Sequence, residues 1–244
     1  MNAIPFEAPS PLVVADRNEW RRARLQLLAR EKALTRLQDE IARERRALPW
    51  VRVEQPYLFD TVDGPQSLAE QFGKRSQLIV QHFMFAPGWE QGCKSCSFMA
   101  DHHDGALLHL AQRDVAFVAV ARAPLADLER FRQRMGWTFR FVSSNGNSFN
   151  QDFGVSFTHD EMSSGSVNYN YTRQPFPHQE APGISVFARD ADGQVFHTYS
   201  CFGRGVEVMM HTYPLLELTP KGRDEDEFDY PMAWVRHHDR YEPA

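Results

Sequence analysis

The stretch that most constrains this chain runs from residue 78 to residue 122. It opens with Leu78-Ile79-Val80-Gln81-His82-Phe83-Met84-Phe85, an almost unbroken apolar run. A run this short and this apolar suits a strand buried on both faces of a helix-covered sheet. Pro87 and Gly88 stop it. Trp89 to Gly92 form a turn, and Cys93-Lys94-Ser95-Cys96 follows. Ser97 to Gln112 reads as a helix with an apolar side of Ala100, His103, Leu107, Leu108 and Leu110-Ala111, weakened in the middle by Gly105. Val115 to Ala121 is a second apolar strand, and Pro124 opens the next helix at a position proline tolerates. The unit is βαβ, with two thiols where the first helix begins. Unpaired N–H groups and the helix dipole stabilise a thiolate there, which lowers a cysteine pKa.

The chain around that unit is long enough to enclose it. With 244 residues, 42% of them apolar, it has enough material for one α/β domain with a real core. The formal net charge of -5 gives nucleic acid no general attraction. No stretch nears the roughly 18 apolar residues of a membrane span, and the start lacks the basic-then-apolar pattern of a secretory signal. Three cysteines do not make a disulfide framework, so a cytoplasmic protein with one reactive pair is expected.

Asp16 and Glu19 are spaced as a capping box, and a helix is predicted from there to about Ala47. Trp20, Ala23, Leu27, Leu34, Leu37 and Ile41 mark one broad face. Residues 17–46 carry ten Arg or Lys against five Asp or Glu. The expectation is a helix packed on the domain with its charged face in solvent. Pro49 ends it. Trp50–Val53 and Tyr57–Phe59 read as short strands, Asp63-Gly64 as a turn and Ser67 as the cap of a short helix. Leu125, Leu128, Phe131 and Met135 form a buried helical stripe that stops at Gly136, and Phe139–Val142 is a strand near an edge.

Residues 143–181 are rich in Ser, Asn and Gly but also in Phe and Tyr, which a disordered linker would lack. They are expected to form an ordered insertion over the sheet edge or the cysteines. Such a wall suits a peroxidase or a reductase of small molecules, whereas a general protein reductase leaves the site open. Asp192-Gly193 joins Ile184–Ala188 to Val195–Tyr199 as a hairpin. Gly205 to Leu216 is read as a last helix. Cys201 is a third thiol, with a small buried hydrophobe as its default role. The acidic cluster from Asp224 to Asp229 is expected to be a solvated tail that packs one aromatic on the domain or on a second subunit, which leaves a homodimer open. The division is thus an arm and helix over 1–48, a main domain over 49–220 and a tail over 221–244.

The sequence from Phe83 to Ser97 resembles the signature of the bacterial DUF899 proteins. Asp101-His102, Asp104-Gly105-Ala106-Leu107, Ser143-Ser144, Phe149-Asn150 and Asp152-Phe153-Gly154-Val155 continue the likeness, which runs from about Trp20 to Tyr230. The resemblance implies a thioredoxin-like, three-layer α/β fold with a mixed central sheet, an N-terminal helical extension and an insertion before the cis-proline strand. It also implies that Pro182, just before Ile184–Ala188, follows a cis bond and faces the cysteines. Cys93 is the expected attacking thiol and Cys96 the resolving one, since residues one helical turn apart can form a disulfide. Gly92 before Cys93, and Lys94-Ser95 between the cysteines, depart from thioredoxins proper, which have tryptophan and Gly-Pro there.

The reading is a thiol–disulfide oxidoreductase using Cys93 and Cys96, without a bound cofactor, served by an external dithiol or a thioredoxin-type reductant. A thiol-dependent peroxidase and a non-enzymatic binding or assembly protein are the alternatives. Two thiolates with His102 or His103 would be a zinc set, but the 100° between neighbouring helical residues sets the histidines apart. Either histidine is also a candidate local acid or base.

Overall fold

The computed structural model describes residues 14–242. Asp16 caps the first helix α1 (Arg17–Arg46), accepting from the N–H groups of Asn18 and Glu19, and the Glu19 carboxylate accepts from the Asp16 N–H. Beyond Pro49 come β1 (Val51–Arg52), β2 (Leu58–Phe59), β3 (Gln66–Ser67) and, after a 3-10 turn at Glu70–Phe72, β4 (Gln77–His82). The crossover from β4 is α2 (Lys94–Asp104) and α3 (Leu107–Gln112), leading to β5 (Val115–Ala121), α4 (Leu125–Arg134) and β6 (Arg140–Ser143). The insertion holds α5 (Phe149–Asp152), α6 (His159–Ser163), β7 (Val167–Tyr169) and β8 (Thr172–Gln174). β9 (Gly183–Arg189), β10 (Val195–Phe202), a 3-10 stretch (Gly203–Met209) and α7 (Thr212–Leu216) complete the main elements.

The central sheet has the order β1-β10-β9-β4-β5-β6. β4 and β5 are parallel neighbours, with Gln77 opposite Val115 and His82 opposite Val120. β6 extends the parallel side as the edge strand, and β9 runs antiparallel along the other side of β4, with Gly183 opposite His82. Odd-numbered residues of β4 face α2 and α4 over a core of Phe83, Ala100, Leu128, Phe131 and Trp137. Even-numbered ones, Leu78 and Val80, face Phe59, Phe72, Phe149 and Phe187. That second face is covered by the β2–β3 hairpin, the 3-10 turn and α5. A separate cluster of Val155, Phe157, Val167, Tyr169, Ala181 and Phe202 holds the insertion together and onto the sheet end. The insertion is ordered, as its aromatic content required.

Four expectations change. First, the helix predicted over Ser97–Gln112 breaks into α2 and α3 at Gly105, where the low helix propensity of glycine meets a turn. Second, Gly205–Leu216 is a 3-10 stretch followed by a short helix, because Pro214 has no N–H to give to the Met210 carbonyl. Third, the tail is solvated only in part: Asp224, Asp226, Glu227 and Asp229 are exposed and Trp234 packs on Phe98 as expected, but the segment also carries buried groups. Glu225 turns inward and accepts from Tyr213 Oη, Trp234 Nε1 and the Met232 N–H, and Val235 is wholly buried. Fourth, α1 does not pack on the domain. It has no buried residue, and Trp20, Leu27, Leu34 and Ile41 are 43–61% exposed. Both sheet faces are already covered by other elements. The contact of α1 with the body is at its C-terminal end, where the Arg45 guanidinium stacks on Tyr199 at 4.7 Å.

Candidate functional site

The site is built at the C-terminal end of β4. Phe83 to Phe85 continue past the end of β4 alongside β5 and the residues that follow it: the Phe83 N–H donates to Val120 O and the Ala123 N–H to Phe85 O. Pro87 and Gly88 then reverse the chain, with Gly88 at φ +83° and the Trp89 N–H donating to Ala86 O. Proline followed by a residue at positive φ is the type II pattern, which asks for glycine at the second place. The returning chain lies directly on the aromatic floor. A Cβ at Gly92 would stand 2.5 Å from Phe83 Cε1 and 2.8 Å from Phe131 Cε1. The glycine before the first cysteine is therefore a packing requirement.

Cys93 is the N-cap of α2, and its N–H donates to Met84 O at 3.0 Å. Cys96 is buried in the first turn, where its sulfur accepts from the Met84 N–H at 3.5 Å. One residue, Met84, thus anchors both cysteines. The thiols are free, and they are not alike. Cys93 is half-buried, and its pKa is lowered to about 7. The Cys96 thiol, donating to it, is the largest cause. Burial opposes, and the N–H groups of Cys96 and Ser95 and the charge of Lys94 add to the lowering. The Cys96 thiol moves well above its ordinary range, because it is donor to Cys93 and is buried. A helix N-terminus acting on a thiolate is the expected physics, but the neighbouring thiol acts more strongly.

Pro182 stands one residue before β9, and Gly183 is in register with His82. Pro182 is therefore at the sheet end from which the cysteine loop leaves. It is half-buried, and its carbonyl accepts from Tyr169 Oη at 2.7 Å. His102 and His103 point into different surroundings. His102 joins α2 to α7, with Nδ1 on Phe98 O and Nε2 accepting from the Thr212 N–H. His103 is buried, with Nδ1 3.1 Å from Gln81 Oε1, while Gln81 Nε2 donates to Cys96 O at 3.0 Å. It steadies the helix turn that carries Cys96 and does not approach a thiol as a base. Cys201 lines a cavity of about 630 Å³ with Leu48, Tyr171 and Tyr199, and burial pushes its thiol up.

Two features have no signal in the sequence. The C-terminal segment straps the cysteine turn on both sides of Cys93: His237 Nε2 donates to Gly92 O at 2.9 Å, and Lys94 Nζ donates to Ala233 O at 3.1 Å. Trp234 packs edge-on against Phe98 of α2. The partners lie some 140 residues apart in the chain. The insertion also pairs with the segment leading to Pro182. The Phe157 N–H donates to Gln179 O and the Ala181 N–H to Val155 O, with Ser156 bridging Glu180. Glu180 is buried beside Arg122, and burial raises its carboxyl pKa.

A parallel β4–α2–β5 unit, an antiparallel β9–β10 pair added beside β4, and a Cys-x-x-Cys pair at the start of the crossover helix define a thioredoxin-like α/β protein. Within that class the chain belongs to the family described as "Bacterial protein of unknown function (DUF899)", whose model matches residues 9–241. Among curated proteins no sequence match was found. Solved structures that resemble the chain include peroxidoxin BcpB from Mycobacterium tuberculosis, at 13% identity and TM-score 0.43 over 68% of this chain and 94% of that one. Peroxiredoxin Q from Xanthomonas campestris aligns at 9% identity and TM-score 0.46, over 68% and 95%. M. tuberculosis (MTB) dsbF aligns at 18% and 0.39, over 66% and 95%.

Proposed function

We propose that the protein is a thiol oxidoreductase acting through Cys93 and Cys96 on a small oxidised substrate. The observation that carries this reading is the asymmetry of the two thiols. A partly exposed Cys93 with a pKa near 7 is a substantial fraction thiolate at neutral pH, and a buried Cys96 is held as the protonated thiol beside it. Nucleophilicity needs the thiolate, and a thiol pKa near ambient pH is the favourable one for exchange.

With a disulfide substrate, Cys93 Sγ attacks one sulfur, forms a mixed disulfide and expels the other sulfur as a thiolate. Cys96 then gives up its proton and attacks Cys93 Sγ. The Cys93–Cys96 disulfide forms and the second substrate thiolate leaves. An external dithiol returns both cysteines to the reduced state, and no bound cofactor enters the scheme. Pro182 serves as a wall residue from the start of β9.

A hydroperoxide is the second substrate class, and one observation favours it over a protein disulfide. The backbone leading to Pro182 is the edge on which an extended peptide would pair. Here Val155–Phe157 already occupies it, and the Ala181 N–H is taken. In that case Cys93 attacks the peroxide oxygen, an alcohol or water leaves with the proton, and Cys93 becomes a sulfenic acid. Attack by Cys96 gives the same disulfide and releases water.

The test is turnover of hydrogen peroxide, an organic hydroperoxide, a small disulfide and insulin, each with dithiothreitol as electron source. Turnover of a small substrate, little activity on insulin and complete loss with Cys93→Ser are expected. Cys96→Ser should allow one oxidation event and trap Cys93 as a mixed disulfide or sulfenic acid. Undiminished turnover in Cys93→Ser would remove the proposal.

A further inference from the structure

α1 carries the largest unpartnered apolar stripe among the described residues. Trp20, Leu27, Leu34 and Ile41 recur every seventh residue, and Ala23 and Leu37 fall three positions after two of them. On a straight helix a strict seven-residue repeat drifts by about 20° per heptad. It stays on one line only when the helix winds around another helix. A flat domain face would select a stripe of period 3.6 instead. The repeat runs from Trp20 to Ile41 within the 30-residue helix, and nothing in the described body covers it.

The charges beside the stripe say which helix. With Trp20 and its repeats in the core positions that face each other, Glu19 and Glu40 precede core residues, and Arg24 and Arg45 follow them by four. In a parallel pair, a residue of the first kind meets the residue five positions on in the other helix. Glu19 then meets Arg24 of the partner subunit in place of that arginine's bond to Glu31 of its own helix, and Glu40 meets Arg45 of the partner subunit, which also stacks on its own Tyr199. The two intermediate positions pair Gln26 with Glu31 and Ala33 with Gln38, so no like charges meet across these flanking positions. The antiparallel register that overlaps the full helices instead sets Glu31 against its own copy and forms no opposite-charge pair. The excess of basic side chains, Arg21, Arg22, Lys32, Arg36 and Arg43 among them, falls on the outward face. Arg30 and Glu44 occupy core positions, where each meets its own copy; these two layers weaken the pair and, being charged, fix its register.

We propose that a second copy of this chain docks on α1, forming a parallel two-stranded coiled coil that joins the two bodies at their Leu48 ends. The interface is isologous, as closed two-fold dimers require. It is independent of the thiol chemistry.

The test is the mass of the full chain in solution by light scattering and sedimentation equilibrium. The natural chain should have twice the chain mass, and Leu34→Asp should be a monomer with the near-ultraviolet CD of the body unchanged. Glu40→Arg alone and Arg45→Glu alone should each weaken self-association about tenfold, because each sets like charges together twice. Mixing these two variants should restore a heterodimer of natural affinity, since both of its cross pairs are again opposite in sign. Chains carrying Trp20→Cys should cross-link through position 20 on mild oxidation. A monomeric natural chain, a dimer that survives Leu34→Asp, failure of the mixed variants to recover, or absence of the position-20 cross-link would each overturn the proposal.

Discussion

The acidity of Cys93 depends on single atoms around one sulfur. Cys96 is the largest source of thiolate stabilisation, followed by two backbone N–H groups and then Lys94. Replacing the donor thiol by a methyl group removes the largest favourable contribution and leaves burial, which opposes ionisation. Cys96→Ala should therefore raise the midpoint of Cys93 alkylation by about one pH unit, whereas Lys94→Ala should move it less. The pH dependence of iodoacetamide modification, followed by mass mapping to Cys93, measures both. Equal shifts in the two variants would show that charge outweighs the thiol–thiol hydrogen bond. Gly92 acts by a different route, through space. Its missing Cβ lets the backbone lie on the rings of Phe83 and Phe131, so the position of the sulfur follows from an aromatic floor as much as from the helix that Cys93 caps.

Among elements, the cysteine turn is held by four pieces of chain: the extension of β4, the first turn of α2, the helix α4 and the C-terminal strap. The strap is the piece with the least backbone pairing to the sheet, and it meets the turn through side chains. His237 Nε2 donates to the Gly92 carbonyl, and Arg134 of α4 holds Asp239 in two hydrogen bonds while also reaching Gln91. His237→Ala leaves the buried Gly92 carbonyl without its partner, which costs about 1–3 kcal/mol locally. The expected outcome is faster alkylation of Cys93 and faster amide exchange over residues 90–96, with little change in the exchange of β4 and β5. Uniform loss of protection across the sheet would instead mark the strap as part of the global folding unit.

For the whole molecule, two buried histidines set the acid limit. His82 lies on the sheet face opposite α2, stacked on Phe153, with Nε2 2.7 Å from Ser185 Oγ, and burial lowers its pKa to about 3. His103, on the α2 face, is lowered to about 4, again mainly by burial. In the unfolded chain both protonate near the ordinary 6.5, while in the folded chain both stay neutral. Between those values the unfolded state binds more protons, so stability rises with pH across that window. The contribution is complete above about pH 6.5 and is lost as pH falls toward 4 and then 3. Each histidine costs the folded state roughly 1.4 kcal/mol for every pH unit below the ordinary value at which it stays neutral. Urea unfolding at pH 7, 5 and 4 should therefore show a loss of a few kcal/mol. A stability independent of pH over that range would mean that one or both histidines are hydrated in the native state.

The sequence by itself determined the centre of the fold and the placement of the two cysteines at a helix start. Short apolar strands, a crossover of helical length and cysteines at a helix start are local patterns, and the right-handed parallel unit follows from them. The capping box at Asp16, the Asp192-Gly193 hairpin and the order of the aromatic-rich insertion were legible for the same reason. Tertiary structure alone decided what surrounds the thiols. His237 reaches Gly92 across the length of the chain, Val155 pairs with Ala181 across the insertion, and His103 turns from the thiols to Gln81. Each of these depends on which surfaces remain open once the sheet is covered, and no local spacing carries that information. The same principle left α1 outside the body. Its amphipathic pattern states that an apolar stripe needs a partner, but only the filled sheet faces show that the body does not supply it.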